Sequence, residues 1–308
     1  MAYQIDPHAP LGREVSRLTA DGINEALARL AVLSDGGDFE SEIHEVRKRC
    51  KELRAIVRLI RPGLTKSYGR FNICIRDAAR ELADLRDAHV VLTTIEQVDV
   101  AGDETTAMQL ERIREHREIV ATEALASLTN GRRRLSRASR NLSEAGRISG
   151  SWNIRDGFEP LAAGIDATYH KARNGHARIL KTNDDDDLHE WRKSIKDLWY
   201  QIRLIELNAP SVLGPLAATL DTLSELLGDD HDRSLLIERV SSDKKRYGGK
   251  SAIRPAIRLV RDQQMAMRTT ALRLGATVLA EDEAAFGLRI RTYGSLTHDL
   301  GDEPTIGS

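Results

Sequence analysis

The stretch His44-Glu45-Val46-Arg47-Lys48-Arg49-Cys50-Lys51 returns later in the chain as His189-Glu190-Trp191-Arg192-Lys193-Ser194-Ile195-Lys196. Five of the eight positions are identical, in the pattern H-E-x-R-K-x-x-K, at an offset of 145 residues. A second pair keeps that offset: Leu82-Ala83-Asp84-Leu85-Arg86-Asp87 and Leu227-Gly228-Asp229-Asp230-His231-Asp232. One match between charged helices arises easily by chance. Two in register, with no net gap between them, argue for a duplicated unit.

The seam falls where Ser143, Gly146, Ser149, Gly150, Ser151 and Asn153 gather. It predicts a first helical half over 1–150 and a second over 151–308. Residues 1–150 hold 24 basic and 23 acidic residues, and 151–308 hold 22 and 24, so neither half is a charged tail.

Within each half the apolar residues recur with a helical period. Helices are expected over 11–33, 40–60, 67–98 and 104–141 in the first half, the last two long enough to be broken. In the second they are expected over 155–181, 187–207, 212–241 and 251–279, with a further one near 281–292. Breakers stand between them at Ser34-Asp35-Gly36-Gly37, Arg61-Pro62-Gly63, Asn208-Ala209-Pro210 and Tyr247-Gly248-Gly249. No stretch alternates apolar and polar residues with β-branched enrichment. The expected fold is all-α: two tandem antiparallel four-helix bundles related by internal duplication.

Composition narrows the function. Hydrophobic residues at 41% and charged residues at 30% describe a globular chain. No apolar run approaches the roughly 18 residues of a membrane helix. The start, Met1-Ala2-Tyr3-Gln4-Ile5-Asp6-Pro7, lacks a basic segment followed by an apolar one, so a cytoplasmic location is expected. Cys50 and Cys74 are the only cysteines, too few for a disulfide framework or a zinc site. The net charge of −1 lacks the basic excess usual for a DNA-binding domain. A polyanion would bind only if positive charge were sorted onto one surface.

The repeated stretch sorts it in that way. On a helix, Val46, Cys50, Leu53, Ile56, Val57 and Ile60 share one side, and His44, Arg47, Lys48, Lys51, Arg54 and Arg58 share the other. In the second copy Trp191, Ile195, Leu198, Ile202 and Ile205 oppose His189, Arg192, Lys193, Lys196, Tyr200 and Arg203. A solvated helix face normally mixes signs, because like-charged neighbours three or four residues apart cost a few tenths of a kcal/mol. Here Arg47→Lys51, Lys51→Arg54, Arg54→Arg58 and Arg192→Lys196 are like pairs, and opposite pairs occur only at the stripe edges. An anionic ligand is the natural compensation. A metal site is disfavoured, since each helix supplies a single His among cations. Acid–base catalysis lacks an orienting partner. A His that becomes cationic and joins an anion site agrees with its neighbours, with affinity rising as pH drops through about 6.5.

These paired motifs resemble the CHAD domains, the conserved-histidine α-helical domains, whose helices read H-x-x-R-K-x-x-K-x-x-R-(Y/F). The matching residues are His44, Arg47, Lys48, Lys51 and Arg54, then His189, Arg192, Lys193, Lys196 and Tyr200. Trp199 stands at the place of Arg54 in the second copy, and Arg203 matches Arg58. Tyr169-His170-Lys171-Ala172-Arg173 is similar to the segment ahead of the second motif helix. Leu82–Asp87 and Leu227–Asp232 resemble the family's L-G-x-x-x-D helix start, with Ala83 in place of Gly in the first copy. The resemblance spans about 11–290 and implies the stand-alone form, with no E-x-E-x-K triphosphatase strand.

The resemblance implies a binder of inorganic polyphosphate, in which motif helices of both bundles, with Arg173, face a basic central channel, and which is targeted to polyphosphate granules. No cofactor, metal or catalytic residue is implied, and nucleic acid is expected only as a weak cross-reaction. Aromatic residues at 4% suit a chain of phosphates without bases to stack. Two rival readings belong to other classes. A metal-dependent phosphate-processing enzyme would draw on Asp84, Asp87, Asp229, Asp230 and Asp232. A granule scaffold would bind a protein partner. The Asp184–Asp187 run reads as helix capping, or as a repulsive gate at the channel mouth.

Overall fold

The computed structural model describes residues 3–34, 39–64, 67–100, 102–130 and 132–299. Among them it is helical, with no strand. The expected break at Ser34–Gly37 lies largely outside the described residues. Eleven α-helices follow one another among the described residues: α1 (Leu11–Ser34), α2 (Phe39–Leu59), α3 (Ser67–Arg80), α4 (Ala83–Glu96), α5 (Glu104–Asn130), α6 (Arg132–Ser149), α7 (Glu159–Thr182), α8 (Asp185–Leu204), α9 (Pro210–Ser242), α10 (Lys250–Val278) and α11 (Glu283–Asp299). The order repeats. Helices α7, α8, α9, α10 and α11 start 148, 146, 143, 146 and 151 residues after α1, α2, α3, α5 and α6.

The breakers act by different means. Arg61–Gly63 form one 3-10 turn after α2, with Pro62 where its missing N–H costs nothing. Pro210 opens α9 in the same way. Gly248 and Gly249 both take a φ of 90°, a region closed to most side chains, and release the chain into α10. Asp184 caps α8 through its carboxylate, which accepts from the backbone N–H of Asp186 at 2.9 Å and of Asp187 at 3.3 Å. Capping is the role of Asp184, while Asp185 pairs with Arg268 at 2.6 Å and Asp187 with Arg178 at 3.5 Å.

The long helix expected over 67–98 is interrupted at Glu81–Leu82, whereas its counterpart α9 runs through. Arg47 supplies a cause. Its Nη1 donates to the Ala79 carbonyl at 2.9 Å, which also accepts from the Leu82 N–H at 3.3 Å in a tightened last turn, so the side chain inserts at the interruption.

Helices α1, α2, α3 and α6 close one ring of contacts, and α7, α8, α9 and α10 another, with α11 against α7. The main apolar cluster runs through both rings, from Val15, Val46, Ile56 and Phe71 to Trp191, Ile195, Leu220 and Ile290. Gly164 permits the join between halves. A Cβ there would sit 1.8 Å from the Leu59 carbonyl oxygen, so α7 rests directly on the end of α2. A second cluster gathers Val91 and Ile95 of α4, Ile113 of α5, Leu236 and Val240 of α9, and Ile253 and Val260 of α10. The first-half hairpin α4–α5 thus packs on the α9–α10 ends of the second half. Motif helices α2 and α8 touch one another between these two zones of apolar packing.

Candidate functional site

The apolar faces of α2 and α8 are buried, with Val46, Leu53, Ile56, Trp191, Ile195 and Leu198 at 1% exposure or less, so the opposite faces have nowhere to turn but away from the core. Those faces point toward one another's charges. Lys51 is reached by water yet walled in by protein on most sides. Burial first, then Arg192, Arg47, Arg86 and Lys196, press its pKa down to about 7. Two of these four cations come from α8. Arg192 is likewise pushed down by burial, with Arg86 acting in the same sense and Asp232 against it. Lys196 is lowered by burial, with Asp221 acting against the shift and Arg192 adding to it. Among the described residues, Lys51, Arg192 and Lys196 have no carboxylate within ion-pair distance. The Nε of Arg192 is buried and unpartnered.

A cavity of ≈ 650 Å³ opens beside this cluster. Its wall includes His44, Arg47 and Lys51 of α2, Arg86 and His89 of α4, and Asp232 of α9, with apolar residues of α4 and α5 completing it. Arg86 is held between two carboxylates, Asp87 at 3.4 Å and Asp232 at 3.1 Å. The other half presents His189 and His231, their rings 4.6 Å apart. Burial pushes His231 down to about 4, with Arg192 and His189 adding to the shift. His44 and His189 are also lowered by burial, helped by Lys51 at His44 and by Lys193 at His189. All three histidines are thus neutral at pH 7.

The remaining stripe residues divide. Arg54 donates from Nε to Asn72 Oδ1 at 3.0 Å, and burial lowers its pKa. Arg58 is ion-paired with Asp197, so it ties α2 to α8 rather than offering a free charge. Lys48 pairs with Glu45 at 3.6 Å, and Lys193, exposed, with Glu190. Lys196 lies 4.1 Å above the Trp199 ring and 5.5 Å from that of Tyr200. Arg203 stacks over Trp199 at 4.9 Å. Tyr200 is 3% exposed and packs edge-on against Tyr3, which places its ring in the wall beneath the stripe. Arg173 sits elsewhere: its Nη1 donates to the Glu281 carbonyl at 2.8 Å, and it lines a separate cavity with His176 and Glu283. It does not join the motif residues, because α7 turns it toward the α10–α11 connection.

Arg86 and His231 were not among the expected site residues, and Asp232 was expected only as a metal ligand. Their signal was present, since Arg86 and His231 are equivalent at the 145 offset and lie inside the second matched segment. The acidic candidates for metal binding are otherwise engaged. Asp230 is 1% exposed and pairs with Arg268 at 3.1 Å, and Asp84 pairs with Arg134 at 3.0 Å. Among the described residues no group of three His, Cys, Asp or Glu side chains is placed to hold a metal ion.

The family model of the CHAD domain matches residues 20–241, both motif helices included. The chain belongs to the CHAD domain family. Its fold is similar to that of the crystal structure of the CHAD domain from the plant Ricinus communis, with a TM-score of 0.69 at 16% identity, over 92% of this chain and 96% of that one. A search of curated proteins finds no match. Among the described residues no helix is long and apolar enough to cross a membrane.

Proposed function

We propose that this CHAD domain binds inorganic polyphosphate between its two motif helices, and that binding, not catalysis, is its activity. The two rings of helices are read as the tandem antiparallel four-helix bundles of 1–150 and 151–308, with the basic central channel between them. One observation carries the reading. Lys51 of α2 stands among Arg192 and Lys196 of α8 with none of the three in an ion pair, although Asp232 and Asp221 offset part of the charge of Arg192 and Lys196, an arrangement that costs the free protein stability and that a linear polyanion relieves. Arg47, Arg86 and Arg192 offer guanidinium forks to phosphate oxygens, and Lys51 and Lys196 offer compact charges. Aromatic side chains at the site are occupied beneath Lys196 and Arg203, so no free ring invites a base to stack. A protein built this way would be carried onto polyphosphate granules.

Titration of labelled long-chain polyphosphate against the protein tests the reading. Saturable binding is expected, weakening steeply with salt, by analogy with counterion release on nucleic acids. No phosphate should be released in the presence of Mg²⁺ or Mn²⁺. Absence of binding at low salt would overturn the proposal.

A further inference from the structure

Helix α6 carries six arginines, one glutamate and no lysine. Arg133, Arg137, Arg140 and Arg147 fall on one stripe with Glu144, opposite the buried Leu135, Ala138, Leu142 and Ala145. All four arginines are exposed. Arg133→Arg137 and Arg137→Arg140 are like-charged at helical spacing, the same unfavourable pattern that marks α2 and α8. The nearby carboxylates are shared. Glu81 serves Arg137 at 2.8 Å and Arg134 at 3.8 Å, and Asp84 takes Arg134 at 3.0 Å. Glu144 serves both Arg147 and, at 3.1 Å, Arg70 of α3. Nearby on α3, Arg80 pairs with Asp77 at 3.7 Å, which also takes Arg76 at 2.8 Å. Positive charge therefore exceeds negative along the whole ridge.

Ridge and cavity meet the same turn from two sides. Glu81 and Asp84, which pair with arginines of α6, flank the α3–α4 turn, and Arg47 of the cavity wall donates to the Ala79 carbonyl just ahead of it. The repeat explains it only in part. At the 151-residue offset between α6 and α11 the matching positions hold Ala284, Leu288, Arg291 and His298, one arginine where α6 carries four.

We propose that the α6 ridge is an external lane on one side of the domain, along which a long polyphosphate chain continues after leaving the central site. This inference rests on polyphosphate being the central ligand. A straight row of guanidinium groups, roughly 21 Å long at 1.5 Å per residue, matches a linear polyanion and not a compact one. Arginine's fixed fork holds phosphate oxygens on an exposed surface where a solvated ammonium would hold them weakly.

The test replaces Arg137, Arg140 and Arg147 by Gln together and measures affinity for long-chain polyphosphate and for tripolyphosphate. The long chain should bind about tenfold more weakly, with the salt slope reduced by about two, at roughly 0.7 for each phosphate of a flexible single strand that is no longer neutralised. Tripolyphosphate affinity should not change. A control with Arg112, Arg239 and Arg258 replaced by Gln removes the same charge elsewhere and should leave both affinities near wild type. Unchanged long-chain affinity overturns the lane. So does an equal loss for tripolyphosphate, an equal loss in the control, or a loss confined to single-stranded DNA. Should the wild-type protein bind neither phosphate, the central reading fails and the lane falls with it, a result distinct from a ridge variant that merely behaves as wild type.

Discussion

If polyphosphate is the ligand, as proposed, Lys51 should make its affinity depend on pH in a window above that of histidine. In the free protein its pKa is pressed to about 7 by burial and by Arg192, Arg47, Arg86 and Lys196. An anion bound against it favours the ammonium and returns the pKa toward its ordinary value near 10.4. Between those two values the bound form holds a proton that the free form lacks, so binding takes one up and affinity falls as pH rises. Full recovery would span about three pKa units, roughly a thousandfold in affinity. Water reaches the side chain, so screening reduces the effect, and we expect about a tenfold loss between pH 7 and pH 9.5. Long-chain polyphosphate suits the measurement, because its few terminal groups contribute little titration of their own. Calorimetry in two buffers of different ionisation enthalpy reads the proton directly. Lys51→Arg keeps the charge without the titration, and its affinity should stay level above pH 7. Wild-type affinity that is flat across this range, or a slope that survives in Lys51→Arg, would refute the reasoning. The histidines keep the direction expected from the sequence, affinity rising as pH drops, but His44 and His189 are lowered from the ordinary value in the free protein and His231 is pushed down to about 4, so their uptake of protons extends to lower pH than that of a free imidazole.

Replacing Lys51 and Lys196 together by Ala should lower affinity for short and long polyphosphate alike and flatten the salt dependence, with circular dichroism unchanged; Arg112→Ala with Arg239→Ala, both exposed and outside the stripes, should do neither. Gly164→Ala places a methyl against the Leu59 carbonyl and should destabilise by about 2–3 kcal/mol in denaturant titration, whereas Gly69→Ala, with open space around its Cβ position, should stabilise by about 0.5–1 kcal/mol. Trp191→Ala removes a fully buried side chain and should cost about 3–5 kcal/mol; a smaller loss would mean that α8 is not anchored as described. Asp184→Ala should cost about 1 kcal/mol through the lost cap and leave polyphosphate on-rates unchanged, while a faster on-rate would favour the repulsive gate.

The helices were legible because their apolar period is long and their breakers are chemically plain. Two interruptions were located less well, for different reasons. The break at Glu81–Leu82 coincides with Arg47 reaching Ala79 from another helix, a tertiary contact that no local pattern encodes. The expected 104–141 segment comprises α5 and α6, which serve different neighbours: α5 packs with α4 and α10, while α6 completes the ring with α1 and α3. The site was legible at the level of faces. Helical spacing identified which side of α2 and α8 is basic. It could not show that Arg58 spends its charge on Asp197, that Tyr200 sinks against Tyr3, or that Arg173 turns to Glu281. Those outcomes are settled by partners distant in sequence.

The same division explains how so unfavourable a cluster persists. Each motif helix is anchored by an apolar face that is almost wholly buried, and the two are tied by Arg58–Asp197 at one end of the stripe. Hydrophobic burial is insensitive to what the opposite face carries, so the fold tolerates like charges that an isolated helix would shed by unwinding. Arg86 is fixed by carboxylates from both halves, Asp87 and Asp232, and Asp232 also offsets part of the charge of Arg192. The cost of the cluster appears instead in protonation. Lys51 gives up part of its charge at neutral pH and the histidines give up theirs, so the free protein is less repulsive than its sequence suggests. A polyanion entering the site would restore those protons. On the proposed function the arrangement would be a reservoir of positive charge that fills when the ligand arrives, which makes the pH dependence of binding, and not that of folding alone, the measurement that tests it most directly.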